Sequence, residues 1–326
     1  MDLLLTLAGF GVGTVVGLTG MGGGALMTPL LVLGFGVPPL AAVSSDLAAS
    51  AVMKPFGGWV HHRRGTVNWE LVRWLCAGSI PAAFLGVLLT RLVPDEASLQ
   101  QLIKYAIAAA LVLAATGLAA KAYAGRRRPA TQEAALAIRV RPGATLLLGA
   151  LGGLVVGLTS VGSGSLIIVI LLALYPTLRP NDLVGTDLVQ AVPLVAAAAV
   201  AHLFLGDLRL DLAASILVGS VPGVLLGARL SSRAPAGFVR AALIVVLLAT
   251  AMKLFGAPGW MILAAAGLGT LVAGLAAARR RLRSLPVAGA TPASASQASA
   301  TPASDSPPVT PVAPTAPPVT NISPRS

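Results

Sequence analysis

At 326 residues, with 56% hydrophobic and only 10% charged side chains and a mean hydropathy of +0.86, the chain lacks the polar coat that a soluble domain requires. Its net charge of +12 does not indicate nucleic-acid binding. The basic residues gather at the ends of apolar runs (His61-His62-Arg63-Arg64, Arg126-Arg127-Arg128, and Arg279-Arg280-Arg281 with Arg283) and form no face interleaved with aromatics, which is the distribution that orients membrane spans.

In chain order, Met1-Asp2 offers no basic segment ahead of the first apolar run, so no signal peptide is expected. Apolar elements are predicted at 3–19, 25–36, 41–60, 71–91 and 101–123. Cys76 lies in the fourth of these and, as the single cysteine, reads as a small buried hydrophobe. After a basic linker the pattern resumes at 144–159, 165–175, 183–205, 211–230 and 238–256, with a further span at 260–278. From 284 to 326 the composition turns to Pro, Ala, Ser and Thr and cannot bury a core. The organisation expected is a membrane repeat at 1–124, a cytoplasmic linker at 125–142, a second membrane repeat at 143–256, an additional transmembrane helix at 257–283 and a disordered cytoplasmic tail at 284–326.

The two membrane segments repeat one another. Val15-Val16-Gly17-Leu18-Thr19 returns as Val155-Val156-Gly157-Leu158-Thr159, and Gly22, Gly24 and Leu26 match Gly162, Gly164 and Leu166. After a one-residue insertion, Asp46-Leu47 matches Asp187-Leu188, His61 matches His202, Gly65 matches Gly206, and Gly78-Ser79-Ile80-Pro81 matches Gly219-Ser220-Val221-Pro222. Gly86 then pairs with Gly227 and Pro94 with Pro235. A duplicated membrane half is transporter architecture. If the halves are inverted, most Lys and Arg near span ends fall on one side; if they are parallel, the two sides are nearly balanced. The expected fold is therefore an all-α polytopic helical bundle of two inverted repeats with short broken helices, its N-terminus outside and its tail in the cytoplasm.

The second element of each half carries the first candidate site. At about 1.5 Å per residue, 25–36 gives only about 18 Å of helix, short of a bilayer core of about 30 Å. It follows Gly20-Met21-Gly22-Gly23-Gly24 in one half and Ser160-Val161-Gly162-Ser163-Gly164 in the other. Such turns expose backbone N–H groups at a helix start, where the dipole favours an anion. The plainer reading is that the glycines only permit close helix packing. On the site reading, Gly22, Gly23, Gly24, Ser160, Gly162, Ser163 and Gly164 bind substrate, and Gly24→Ala or Gly164→Ala should damage binding more than assembly. Gly86 and Gly227 are assigned to packing.

The start of the third element supplies Ser44, Ser45 and Asp46, matched by Gly185, Thr186 and Asp187. Ser44, Ser45 and Thr186 have hydroxyls suited to substrate oxygens, and Gln190 lies one turn beyond Thr186. Asp46 and Asp187 either cap helices or carry a coupling proton. Lys54, inside an apolar run, either snorkels to the His61-His62 end or neutralises a bound anion. His61 and His202 read as helix-closing interface residues. No metal-ligand spacing, phosphate loop or nucleophile motif is present. Gly162-Ser163-Gly164 with His202 is a weak echo of an intramembrane serine protease, but the residue pattern is incomplete and the repeat already accounts for both. No catalytic residue, metal or cofactor is expected.

Ser45-Asp46-Leu47 through Lys54, then His61-His62-Arg63-Arg64-Gly65-Thr66-Val67-Asn68-Trp69 and Gly78-Ser79-Ile80-Pro81, resemble the TauE/SafE sulfite exporter family. The second half adds Gly185-Thr186-Asp187-Leu188, His202, Gly206 and Gly219-Ser220-Val221-Pro222-Gly223, so that the resemblance covers about 5–256. Three positions depart from the family pattern: Ser45 where threonine is usual, Asn68 where aspartate is usual, and Ala82 where glycine follows the proline. The resemblance implies export of sulfite, sulfonates or related sulfur-containing or organic anions across the plasma (inner) membrane. A passive anion channel and a non-transporting membrane scaffold are the competing classes. The partners implied are a small anionic substrate and the lipid bilayer, with no nucleic acid. Thiosulfate-uptake relatives use pathway cysteines, and the single Cys76 argues against that branch.

Overall fold

The computed structural model describes residues 2–19, 23–63, 65–124, 140–164, 166–175, 178, 180–230 and 236–270. These form α1 (Leu3–Thr19), α2 (Gly24–Gly34), α3 (Pro39–Arg63), α4 (Trp69–Thr90), α5 (Glu96–Ala124), α6 (Pro142–Thr159), α7 (Leu166–Leu174), α8 (Pro180–Leu205), α9 (Leu210–Leu230) and α10 (Ala236–Leu254). A further apolar helix, α11, spans Gly259–Thr270. Among the described residues there is no strand. Five helices, α4, α5, α6, α8 and α9, are long and apolar enough to cross a membrane. The chain is an all-α membrane protein. Gly22, the linker 125–139 and the tail 284–326 lie outside the described residues.

Helix starts fall earlier than hydropathy alone predicts, for local reasons. α3 and α8 begin at Pro39 and Pro180, two and three residues ahead of the apolar pattern. Proline at the first helical position has its φ preset and gives up only an N–H that would be unused there. α5 begins at Glu96, after Asp95, whose carboxylate accepts from the Ser98 N–H at 2.8 Å. Its hydrogen bonds with Ser98 hold the exposed Asp95 carboxyl below the usual carboxylate range. Asn68 caps α4, accepting from the Leu71 N–H at 3.1 Å. Asparagine serves there as well as an aspartate would, because either oxygen can take an orphan N–H of the first turn.

Packing is dominated by two parallel pairs, α1 with α9 and α4 with α6. Gly9 faces Ile216, Gly13 faces Ser220, and Gly17 faces Val224 and Gly227. A β-carbon on Gly13 would stand 2.5 Å from the Ser220 carbonyl oxygen. The second pair repeats the device: Gly149 lies against Leu75, Gly153 against Ser79 and Gly157 against Ala83. Inside lipid no water-driven force presses helices together, so close backbone approach at small residues is what holds them. Gly86, against Leu154, and Gly227, against Thr14, belong to these seams. α3 and α8 cross between the pairs and run antiparallel. Ser44, near the start of α3, meets His202 near the end of α8, while Gly58 near the end of α3 faces Val192.

Leu71, Leu75, Ile103, Ile107, Ile167 and Leu171 fill the interior. Leu3, Leu7, Phe204, Leu225 and Leu263 point outward, each more than half exposed, an apolar exterior suited to lipid and not to water. At the corner after α3, the Arg63 guanidinium lies 4.0 Å from the Trp59 ring centroid, and His62 meets Trp69 edge-on at 5.4 Å. Basic groups on tryptophans mark a membrane–water boundary.

Candidate functional site

α3 is the least apolar of α1 to α10, and the polar residues of its first half face inward. Ser44, Ser45, Asp46 and Ser50 are all buried. Asp46 is the eighth residue of α3 and Asp187 the eighth of α8, so neither sits at a helix start. The capping reading fails for both: hydropathy began each helix too late and made interior carboxylates look terminal. Asp46, 2% exposed, accepts at Oδ2 from Thr28 Oγ1 of α2 at 2.9 Å and from Ser160 Oγ at 2.6 Å. One carboxylate thus ties α2 and α3 to the turn that precedes α7.

That turn is shaped by unusual backbone. Ser160 ends α6 in the left-handed region at φ 59°, and Gly162 and Gly164 follow at φ 122° and 111°. A serine in that region is held there by its context; here its N–H donates to Val156 O at 2.8 Å and its hydroxyl to Asp46. The start of α2 abuts this turn. A β-carbon on Gly24 would overlap the carbonyl of Ser160. The expectation that Gly24→Ala isolates binding from assembly is therefore corrected: Gly24 is a packing glycine. Gly164→Ala is confounded too, by backbone strain at positive φ. Gly23 is different, since its nearest neighbour to an added β-carbon is Val16 Cγ2 at 3.9 Å, and its φ of −61° is ordinary.

Lys54 points to the protein interior. Its Nζ donates to Ser163 Oγ on the 160–164 turn, and it lies in the electrostatic field of Asp187 and Asp46. The snorkelling reading is set aside by this contact. Lys54 and Asp46 of α3 thus both reach the 160–164 turn ahead of α7, at Ser163 and Ser160.

The remaining predicted residues sit around it. Ser44 Oγ donates to Leu40 O and meets His202 Nδ1, both at 2.8 Å. Ser45 Oγ donates to Arg209 O at 3.3 Å, and Thr186 Oγ1 accepts from the Asn68 N–H at 3.0 Å. Ser45 and Thr186 are equivalent in the sequence repeat, as are Arg209 and Asn68, so each hydroxyl reaches the matching backbone of the other half. These hydroxyls fasten helices together. Gln190 is fully buried; its Oε1 accepts from Ser79 Oγ at 3.5 Å and its Nε2 has no hydrogen-bond partner among the described residues. Cys76, half-buried, places its Sγ 3.9 Å from Gln190 O.

Sequence reasoning missed Thr28 and gave His202 too small a part. His202 is buried, with Nε2 donating to Gly157 O at 2.8 Å, and so joins the end of α8 to α6 and α3. A threonine within an apolar helix carries no local signal, although the match of His202 with His61 in the repeat was a hint. Among the described residues no group of His, Cys, Asp and Glu is arranged to hold a metal ion.

The sulfite exporter TauE/SafE family model matches residues 5–254. Probable membrane transporter protein YjnA of Bacillus subtilis (strain 168) is 37% identical over 250 residues, covering 76% of this chain and 98% of that protein. Probable membrane transporter protein YdhB of the same organism is 24% identical over 242 residues, 74% of this chain and 95% of its own length. No solved structure matches. With its membrane-spanning helices and its match over most of the length, the chain belongs to the sulfite exporter TauE/SafE family and is a multi-pass membrane transporter of that type.

Proposed function

We propose that the protein moves small anions, sulfite and sulfonates or related organic anions, outward across the plasma membrane. The observation that carries this reading is Lys54, a cation inside the bundle whose ammonium reaches the turn before a short helix. An ammonium, a hydroxyl (Ser163) and the N-terminal N–H groups of α7 then converge on one point, and each favours an anion. Gly23 at the start of α2 supplies the matching turn, and Gln190 contributes an amide donor.

The architecture proposed is two inverted halves, 1–124 and 143–256, joined by the cytoplasmic linker 125–142, followed by an extra helix within 257–283 and a cytoplasmic tail at 284–326. The antiparallel crossing of α3 on α8 supports inversion, since equivalent helices antiparallel to each other require a two-fold axis in the membrane plane. The test of function is flux in proteoliposomes against sulfite, sulfoacetate, taurine and simple carboxylates. Saturable flux of an anion, abolished by Lys54→Met, is expected. Current set by voltage alone would identify a channel, and neither flux nor current would identify a scaffold.

A further inference from the structure

The corner between α3 and α4 carries more chemistry than a turn needs. Trp59, His62 and Arg63 are three and four residues apart and share one face of the last turn of α3. Trp69 and Arg73 share one face at the start of α4 in the same way. The two faces are joined, since Arg63 packs on the Trp59 ring and His62 meets Trp69 edge-on. Trp59 and Trp69 are each more than half exposed, and both arginines are exposed. Among the described residues neither guanidinium pairs with a carboxylate; the ion pair present there is that of Arg209 with Asp207. Glu70, exposed and three residues ahead of Arg73, leaves it unpaired. Arg73 stands one turn, about 6 Å, inside a membrane-crossing helix, where an exposed cation needs an anion or the membrane surface within reach.

The duplication supplies a comparison. Trp59, His62, Arg63, Trp69 and Arg73 correspond to Val200, Leu203, Phe204, Leu210 and Ala214 at the corner between α8 and α9. Val200, Leu203, Phe204 and Leu210 are exposed as well, so the same corner is built in the second half with wholly apolar faces. The turn itself requires neither tryptophan nor arginine. Orienting the spans requires positive charge alone, which lysine would supply without any aromatic partner. A guanidinium adds paired N–H donors that match two phosphate oxygens, and an indole sits at headgroup level beside the acyl chains. Val52 and Pro55 continue the face of Trp59 along α3 as an exposed apolar stripe. We propose that the α3–α4 corner binds one anionic phospholipid, its phosphate held by Arg63 and Arg73 and an acyl chain laid along Trp59, Pro55 and Val52. The stripe is what selects a lipid over a soluble phosphate, because the latter has nothing to place on it.

The experiment uses the purified full chain offered equal amounts of phosphatidylglycerol and phosphatidylcholine, with bound lipid counted by native mass spectrometry. Preferential retention of one phosphatidylglycerol is expected. Arg63→Gln and Arg73→Gln should each weaken that retention about fivefold, the worth of one basic group at an anionic membrane surface. Arg209→Gln removes the same charge elsewhere and should change nothing. Arg63→Lys keeps the charge and the orientation of the spans but should still weaken retention, as should Trp59→Leu. Equal retention of the two lipids overturns the proposal, and so does a loss in Arg209→Gln as large as in Arg63→Gln. Full retention in both Arg63→Lys and Trp59→Leu reduces the corner to charge alone and overturns it too. Displacement of the lipid by an equal concentration of glycerol 3-phosphate makes this a soluble-anion site, which overturns the choice of partner. The lipid preference and the glycerol 3-phosphate competition are read on the wild-type chain, so they decide the matter even where a variant fails to fold.

Discussion

Gly23 and Gly24 are neighbours with opposite meanings. An alanine at Gly24 drives its β-carbon into the Ser160 carbonyl, while an alanine at Gly23 meets, among the described residues, only Val16 at 3.9 Å. Gly23→Ala is therefore expected to leave folded yield unchanged and to weaken anion binding several-fold, by blocking close approach to the helix start. Size exclusion together with binding measurements checks both halves of that statement; unaltered binding would return Gly23 to packing. At Asp46 the two hydroxyl donors span a sequence separation of 114 residues on one side and 18 on the other. Ser160→Ala removes one donor from a buried carboxylate and should cost about 1–3 kcal/mol. A shift of the thermal midpoint in detergent would report it, and no shift would mean that the bond contributes nothing.

Elements were legible to the extent that their causes are local. Among the described residues hydropathy located eleven helices and the repeat, and the short second helix of each half was visible as a short apolar run after a glycine cluster. Helix starts were less visible, because Pro39, Pro180 and the Asp95 cap act ahead of the apolar pattern. Contacts between halves were not legible. Nothing near Ser160 signals Asp46, and nothing near Lys54 signals Ser163, because each partner is more than a hundred residues away. At α4, replacing the cap with Asn68→Ala removes an acceptor for the Leu71 N–H, at a cost of about 1 kcal/mol. Restoration by Asn68→Asp, measured as thermal stability, would identify capping as the cause, since the Asn68 N–H to Thr186 is backbone and survives both changes; failure of the aspartate to restore would rule capping out as the cause.

At the scale of the whole molecule, the proposed inversion places the Arg63–Trp59 corner and the tail on the same, cytoplasmic side. A reporter active only in the cytoplasm should work when fused after Ser284 and stay silent when fused ahead of Leu3. The reverse pattern would invert the topology, and activity at both ends would make the count of crossings wrong. The parallel seams have a further consequence, for biosynthesis. α1 finds its glycine-faced partner in α9 and α4 finds its own in α6, so neither helix can be matched within the first half. As the chain leaves the ribosome, α1 must wait in the bilayer, unmated, until some two hundred further residues have been inserted. The first half alone should then be a ready substrate for membrane proteases, and co-synthesis of the second half as a separate chain should rescue it. Such rescue would show that the halves exchange helices as they assemble, and that the duplication yields one interdigitated body whose parts are not stable apart.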